Sequence, residues 1–397
     1  MSIDQLALLG GEPAFAEPRV MGRPNLGDRE ALFRRLSGAL ERGWLTNGGP
    51  LVQELEEKLA ERLAVRHCIT VCNATIGLEL GLKALELEGE VVVPAFTFIA
   101  TAHAASWVGL DVRFCDVDPA THLIDLDSLE QAVSERTSAV VPVHLWGAAA
   151  PVDALESFCE ERGLRLIFDA AHAFACTAQG RTIGRFGDLE VFSFHATKFF
   201  NAFEGGAVTT EDDDLADRLR AMRNFGGRGA AGWGFPGTNA KMSEASAAMG
   251  LTSLEILPEI VARNRENHDA YREELASVPG IALRTYDPGE ENNHQYVVVE
   301  VDGADFGLTA DELVEVLAAE NVGTRRYFVP GLHQVPPYRD DPSTRPVPLP
   351  VTEQLSERCL LLPSGLAVTP TDARSIARCI IEASARAEAV QVHLRQP

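Results

Sequence analysis

The sequence predicts an α/β protein: a large domain on a mostly parallel, mixed sheet flanked by helices, then a smaller C-terminal α+β domain. Three observations predict it. Short apolar runs such as Val91–Pro94 and Leu164–Phe168 alternate with longer amphipathic stretches, the pattern of buried parallel strands joined by helical crossovers. Residues capable of chemistry collect just after those runs, where open α/β sheets bind their ligands. The 397 residues, 46% hydrophobic and 23% charged, can bury a substantial core and form more than one domain. The expected division is an N-terminal arm and large domain over 1–250, then a linking helix and small domain over 251–397.

The first fifty residues are rich in Gly and Pro, with one helical stretch, Asp28 to Arg42, ahead of GWLTNGGP. From Leu51 to Ala64 the spacing of Leu55, Leu59 and Leu63 gives a helix with one buried face. Residues 68–88 read as strand, turn and helix, with Asn73-Ala74-Thr75 at the helix start, where free N–H groups and the helix dipole favour an anion. Val91–Pro94 is a strand leading into AFTFIAT; the apolar stretch 91–110 is broken by Pro94 and His103 and so predicts a strand, a loop and a buried helix, not a membrane span. Strands follow at Val112–Val117 and Ala139–Val143, the latter ending near His144 and Trp146, and Pro151–Arg162 is helical. Asp212–Asn224 is an amphipathic helix before a long glycine-rich loop, FGGRGAAGWGFPGTNAKMSE, of the kind that closes a site or an interface. Pro258 inside the helical region Ser243–Ser277 predicts two helices or a kink. The small domain should contain a strand at Tyr296–Val301 and helices at Thr309–Glu320 and Asp372–Ala389, with GEENNHQ as a lid loop.

A net charge of −23 argues against nucleic acid or an anionic membrane as partner. Seven cysteines, an odd number without a CxxC pair, read as core residues in a reducing cytoplasm. The amino terminus lacks the basic start and apolar core of a signal peptide.

The chemistry concentrates in LRLIFDAAHAFACTAQGRTIGRFGDLEVFSFHATKFFNAFEGGAVTT, residues 164–210. One apolar run delivers Asp169 and a second delivers Ser193, His195 and Lys198. A lysine beside Phe199 and Phe200 is desolvated and so more readily neutral, as an amine attacking a carbonyl must be. Pyridoxal phosphate (PLP) requires a Schiff-base lysine, an acid for the pyridine nitrogen and phosphate donors; Lys198, Asp169 and Ser193 fit those roles.

FDAAHAF, IGRFGDLEVFSFHATK and EGGA resemble the DegT/DnrJ/EryC1/StrS sugar aminotransferases, of the fold-type I PLP-dependent transferases. The resemblance extends over nearly the whole chain and implies PLP, cycling with its amine form, as cofactor. It implies cofactor contacts from Ala74, Thr75, Phe98, Asp169, His172, Ser193 and Lys198, and from Asn239 reaching the partner subunit's phosphate in a homodimer with composite sites. Most members carry Gln at the position of His172, where an imidazole can hydrogen-bond or stack. Trp44 and Thr46 are expected at the substrate mouth, Arg228 and Lys241 at a diphosphate, and Tyr327 and His333 near the sugar; Arg325 and Arg326 are further candidates to face the pocket.

The implied reaction moves an amino group from L-glutamate to a nucleoside-diphosphate keto sugar in deoxyaminosugar biosynthesis, the kind used in making antibiotics. Lys198 would shuttle the proton, Asp169 support the pyridinium, and His195 orient substrate or assist. SFHATK, FEGGA and NAKMSE look most like members that aminate C4 of dTDP-4-keto-6-deoxy-D-glucose; C3 of a dTDP-3-keto-6-deoxyhexose is the alternative. A related sugar dehydratase branch replaces the lysine that this chain keeps. A non-catalytic regulatory protein that binds PLP or sugar is the rival from another class.

Overall fold

A computed structural model describes residues 5–227 and 232–395. Seven strands build its central sheet: β1 (His67–Val71), β2 (Glu90–Pro94), β3 (Asp111–Cys115), β4 (Thr137–Val140), β5 (Arg165–Asp169), β6 (Leu189–Ser193) and β7 (Gly206–Thr210). They lie in the order β1-β7-β6-β5-β4-β2-β3, parallel except for β7, which is antiparallel to both neighbours. The carboxyl ends of the parallel strands therefore share one edge with the start of β7, and Gly206 stands opposite both Val71 and Ser193.

Helices cover both faces, which is why the strands are rich in apolar residues and largely buried: every residue of β2 is buried. The helix Pro50–Leu63 contributes Leu55, Leu59 and Leu63 to this core, each at most 1% exposed. Burying a side chain of that size contributes about 1.5–3 kcal/mol. Residues 91–110 resolve into β2, a loop and the helix Ile99–Trp107, as expected. Among the described residues no single helix is long and apolar enough to cross a membrane.

The small domain has a three-stranded antiparallel sheet with Val297–Val301 between Ile281–Leu283 and Cys359–Leu362. Val297, Val299, Leu360 and Leu362 pack with Leu313, Ile376 and Ile380 in a second core. The linking region is two helices, Glu244–Glu255 and Leu257–Leu275, bent by 61°. Pro258 sits in the first turn of the second, where its missing N–H costs nothing.

Three features differ from expectation. The terminal helix starts at Pro370, two residues earlier than expected, where Thr369 and Asp372 form a reciprocal cap; it ends at Ala385, and a separate helix runs Ala387–Leu394. Residues 6–15, grouped by sequence with the large domain, pack against the small one. Leu6 and Phe15 enter the second core, and the buried Glu320 carboxylate accepts the Ala7 and Ala14 N–H groups at 2.7 and 2.8 Å. GEENNHQ is pinned instead of lid-like: Asn292 and Asn293 are buried, and the Asn293 amide donates to the carbonyls of His172 and Phe174.

Candidate active site

β5 carries Asp169 to the sheet edge and buries it. Its carboxylate accepts the Thr101 hydroxyl at 2.7 Å and the Ala171 N–H at 3.0 Å. Burial pushes the Asp169 carboxyl up, while those hydrogen bonds and the Lys198 charge draw it back.

Past β6 the chain turns tightly, with the Lys198 N–H donating to the His195 carbonyl at 2.9 Å and the Ala202 N–H to that of Phe194 at 2.8 Å. Phe194, Phe199 and Phe200 anchor the turn by packing around Phe174. Part of the Lys198 side chain faces the adjoining cavity, so the residue is half-buried, but protein surrounds its amine. Desolvation lowers that amine to about 8 against the opposing pull of Asp169. Roughly a tenth of it is then neutral at pH 7. It donates to the Tyr296 hydroxyl at 3.0 Å.

At the end of β1 the Asn73 side chain caps the helix Ala74–Ala84, accepting the Ile76 N–H at 2.9 Å. The N–H groups of Ala74 and Thr75 occupy the first two helical positions, where no intrahelical acceptor exists. Gly206 closes the other side. A Cβ there would lie 2.9 Å from the Ala74 nitrogen and 2.7 Å from the Phe192 carbonyl oxygen.

Asn73, Ala74, Thr75, Asp169, Lys198 and Tyr296 line one cavity of about 570 Å³. It gathers the predicted residues Ala74, Thr75, Phe98, Asp169, His172, Ser193, His195, Lys198 and Tyr327. His172 stacks against Trp146 at 5.6 Å between ring centres, and burial holds its imidazole neutral, well below the ordinary histidine range. His195 stands at the wall, its ring meeting Thr197 at 2.8 Å and Glu204 at 3.5 Å. His144 and Trp146 are fully buried and do not line the cavity, His144 stacked on Phe168.

Other predicted residues lie outside this cavity. Trp44 and Thr46 are exposed, as is Asn239, whose side chain accepts the Lys241 amine at 2.6 Å. His333 is buried 3.3 Å from the Glu353 carboxylate, away from the cavity. Arg326 turns away from it to the carbonyls of Ser356, Glu357 and Cys359, whereas Arg325 lines it. Arg228 lies outside the described residues. The sequence argument missed Tyr296 and Thr101, the partners of the lysine and the aspartate, which approach from distant parts of the chain.

The profile of the DegT/DnrJ/EryC1/StrS aminotransferase family matches residues 27–381. The chain belongs to that family. This aminotransferase is similar to the dTDP-4-amino-4,6-dideoxy-D-glucose transaminase of Shigella dysenteriae, 36% identical over 315 residues, 79% of this chain and 85% of the relative. The transaminase of the same name from Escherichia coli is 33% identical over 344 residues, 86% and 92% of the two chains. Among solved structures, that of DesI in the presence of its TDP-sugar product superposes with a TM-score of 0.95 at 51% identity, covering 100% of both chains.

Enzymes of this family are PLP-dependent, and the residues present fit the cofactor. The Ala74 and Thr75 N–H groups and the Ser193 hydroxyl suit its phosphate, Asp169 its pyridine nitrogen, Lys198 its aldehyde, and Phe98 and His172 supply aromatic surfaces in the cavity wall. The glycine at 206 leaves the Ala74 nitrogen, one of these phosphate donors, undisturbed. Gly206→Ala is expected to weaken cofactor affinity on the order of tenfold, the worth of one hydrogen bond to a charged group. Overpacking should also cost about 1–3 kcal/mol of stability. A spectroscopic cofactor titration and a thermal melt check both.

Proposed function

We propose that the enzyme transfers the amino group of L-glutamate to C4 of dTDP-4-keto-6-deoxy-D-glucose. The enclosed Lys198 amine, sharing one cavity with buried Asp169, carries the reaction class. The choice of C4 is supported by the two relatives whose names describe transaminases of a 4-amino-4,6-dideoxy sugar.

When bound, PLP carries the migrating amino group and withdraws electrons from the carbon attached to it. The neutral Lys198 amine takes the proton from that carbon of the donor, and in the second half-reaction returns a proton to the sugar's C4. Asp169, as a buried anion, keeps a proton on the ring nitrogen. Ala74, Thr75 and Ser193 hold the phosphate so that the ring stays fixed while donor and acceptor alternate. Arg325, Tyr327, Thr197 and His195 also line the cavity, and to these we assign the contacts with the exchanging substrates.

Trp44, Thr46, Asn239 and Lys241 are exposed or half-buried on this chain, and Phe33, Leu40 and Leu45 near the first two are exposed apolar residues. That surface supports a homodimer in which a second copy completes each site, with Lys241 neutralising the sugar's diphosphate in an acidic protein. Incubation with L-glutamate and dTDP-4-keto-6-deoxyglucose should give a product whose new C–N bond NMR assigns to C4. Amination of a 3-keto isomer and not of this substrate would select the C3 alternative. Failure with every amino acid tried would favour the binding-protein reading.

A further inference from the structure

Lys198 and Tyr296 belong to different domains. Tyr296 immediately precedes the central strand of the small domain, and its backbone carbonyl accepts the Tyr286 hydroxyl at 2.9 Å. Its ring is 3% exposed, 4.3 Å from the His172 ring and 5.4 Å from that of Trp146 between centres. The phenol is therefore fixed on three sides before it meets the amine at 3.0 Å.

We infer that Tyr296 is the positioning residue for Lys198: its hydroxyl oxygen receives an N–H of the lysine whenever the amine is not bonded to the cofactor, aiming the nitrogen lone pair at the carbon to be deprotonated. The direction of the bond matters. An amine that donates to oxygen keeps its lone pair available, whereas one that accepts a proton from a neighbouring acid loses it. Burial raises the Tyr296 phenol well above its ordinary range, so it stays neutral and does not protonate the lysine. Because the hydroxyl comes from the small domain, the amine is aimed only when the two domains are docked. Asn293 reinforces the docking by tying the segment before Tyr296 to the His172 and Phe174 carbonyls.

This inference rests on the aminotransferase reading of the site, and Tyr296→Phe tests it while keeping the ring and its packing. The cofactor-free variant should capture PLP roughly 10- to 100-fold more slowly at pH 9, where the amine is largely neutral, the cost expected of a misaimed nucleophile. With L-glutamate the half-reaction should slow by a similar factor, with a larger deuterium isotope effect from the α-carbon and with KM values for both substrates unchanged. Capture and half-reaction rates equal to wild type would overturn the inference. So would a raised KM at unchanged kcat, since Tyr296 would then only shape the pocket. A wild-type enzyme that captures PLP but never reacts with an amino donor would instead overturn the reaction assigned to the site, so the two failures are distinguishable.

Discussion

Replacing Lys198 with alanine is expected to abolish amino transfer, with a loss of at least about 10³-fold in the half-reaction with L-glutamate. The lysine has two duties in this cavity, bonding the cofactor and moving the proton, and among the described residues no second amine lines it. Thr197, Ser193 and the neutral His172 lack the basicity to substitute. The variant should nonetheless fold as well as wild type, because the amine is held in surroundings that disfavour its charge. It should also bind PLP noncovalently through the Ala74, Thr75 and Ser193 contacts, losing the cofactor on dialysis. Rapid-mixing absorbance with L-glutamate, alongside a thermal melt, separates lost chemistry from lost structure. A half-reaction within tenfold of wild type would remove Lys198 from the mechanism.

Asp169→Asn is the second large effect, and it lowers both turnover and the pH midpoint for cofactor capture. The amide preserves volume and can still accept the Ala171 N–H, while the hydroxyls of Thr101 and Thr97 lie 3.3 Å apart and can re-pair. What disappears is the charge. Without it the pyridine nitrogen loses the anion that keeps it protonated, and turnover should fall on the order of 10²- to 10³-fold, comparable to losing a preorganised electrostatic partner. Asp169 also raises the Lys198 amine by its charge, so removing it should take that amine below about 8. A lower value leaves more neutral amine at pH 7. The pH midpoint for PLP capture by the cofactor-free variant should therefore shift downward even as turnover collapses. An unchanged midpoint would mean that Asp169 and Lys198 do not interact through the cavity.

The central tract was legible because one continuous segment carries its chemistry. β5 is apolar from Leu166 to Phe168 and ends on Asp169, and β6, although it buries Glu190, is otherwise apolar until it ends on Ser193. The supporting partners were not legible. Thr101 and Tyr296 lie 68 and 98 positions from the groups they bind, and no local pattern joins them. Tyr296 reads as an ordinary strand residue until the small domain docks. Arg325, Arg326 and Tyr327 show a subtler limit: in extended chain successive side chains alternate, so Arg325 and Tyr327 share the cavity side and Arg326 cannot. GEENNHQ has the polar composition of a mobile loop, yet Asn292 and Asn293 are buried: the Asn293 amide satisfies the His172 and Phe174 carbonyls at the domain junction, and the Asn292 oxygen accepts the His294 N–H. The arm shows the same effect at longer range. Glu320, in the small domain, fixes residues 7 and 14 and draws this part of the arm away from the domain that follows it in sequence.

The most direct test of the account is a single-turnover absorbance experiment on the purified holoenzyme. L-Glutamate added alone should bleach the visible cofactor band in a step that stops after one equivalent, and dTDP-4-keto-6-deoxyglucose added afterward should restore it. A band that glutamate and other amino donors leave unchanged, in a protein that still holds its cofactor through Lys198, would contradict the assignment of amino transfer to this cavity.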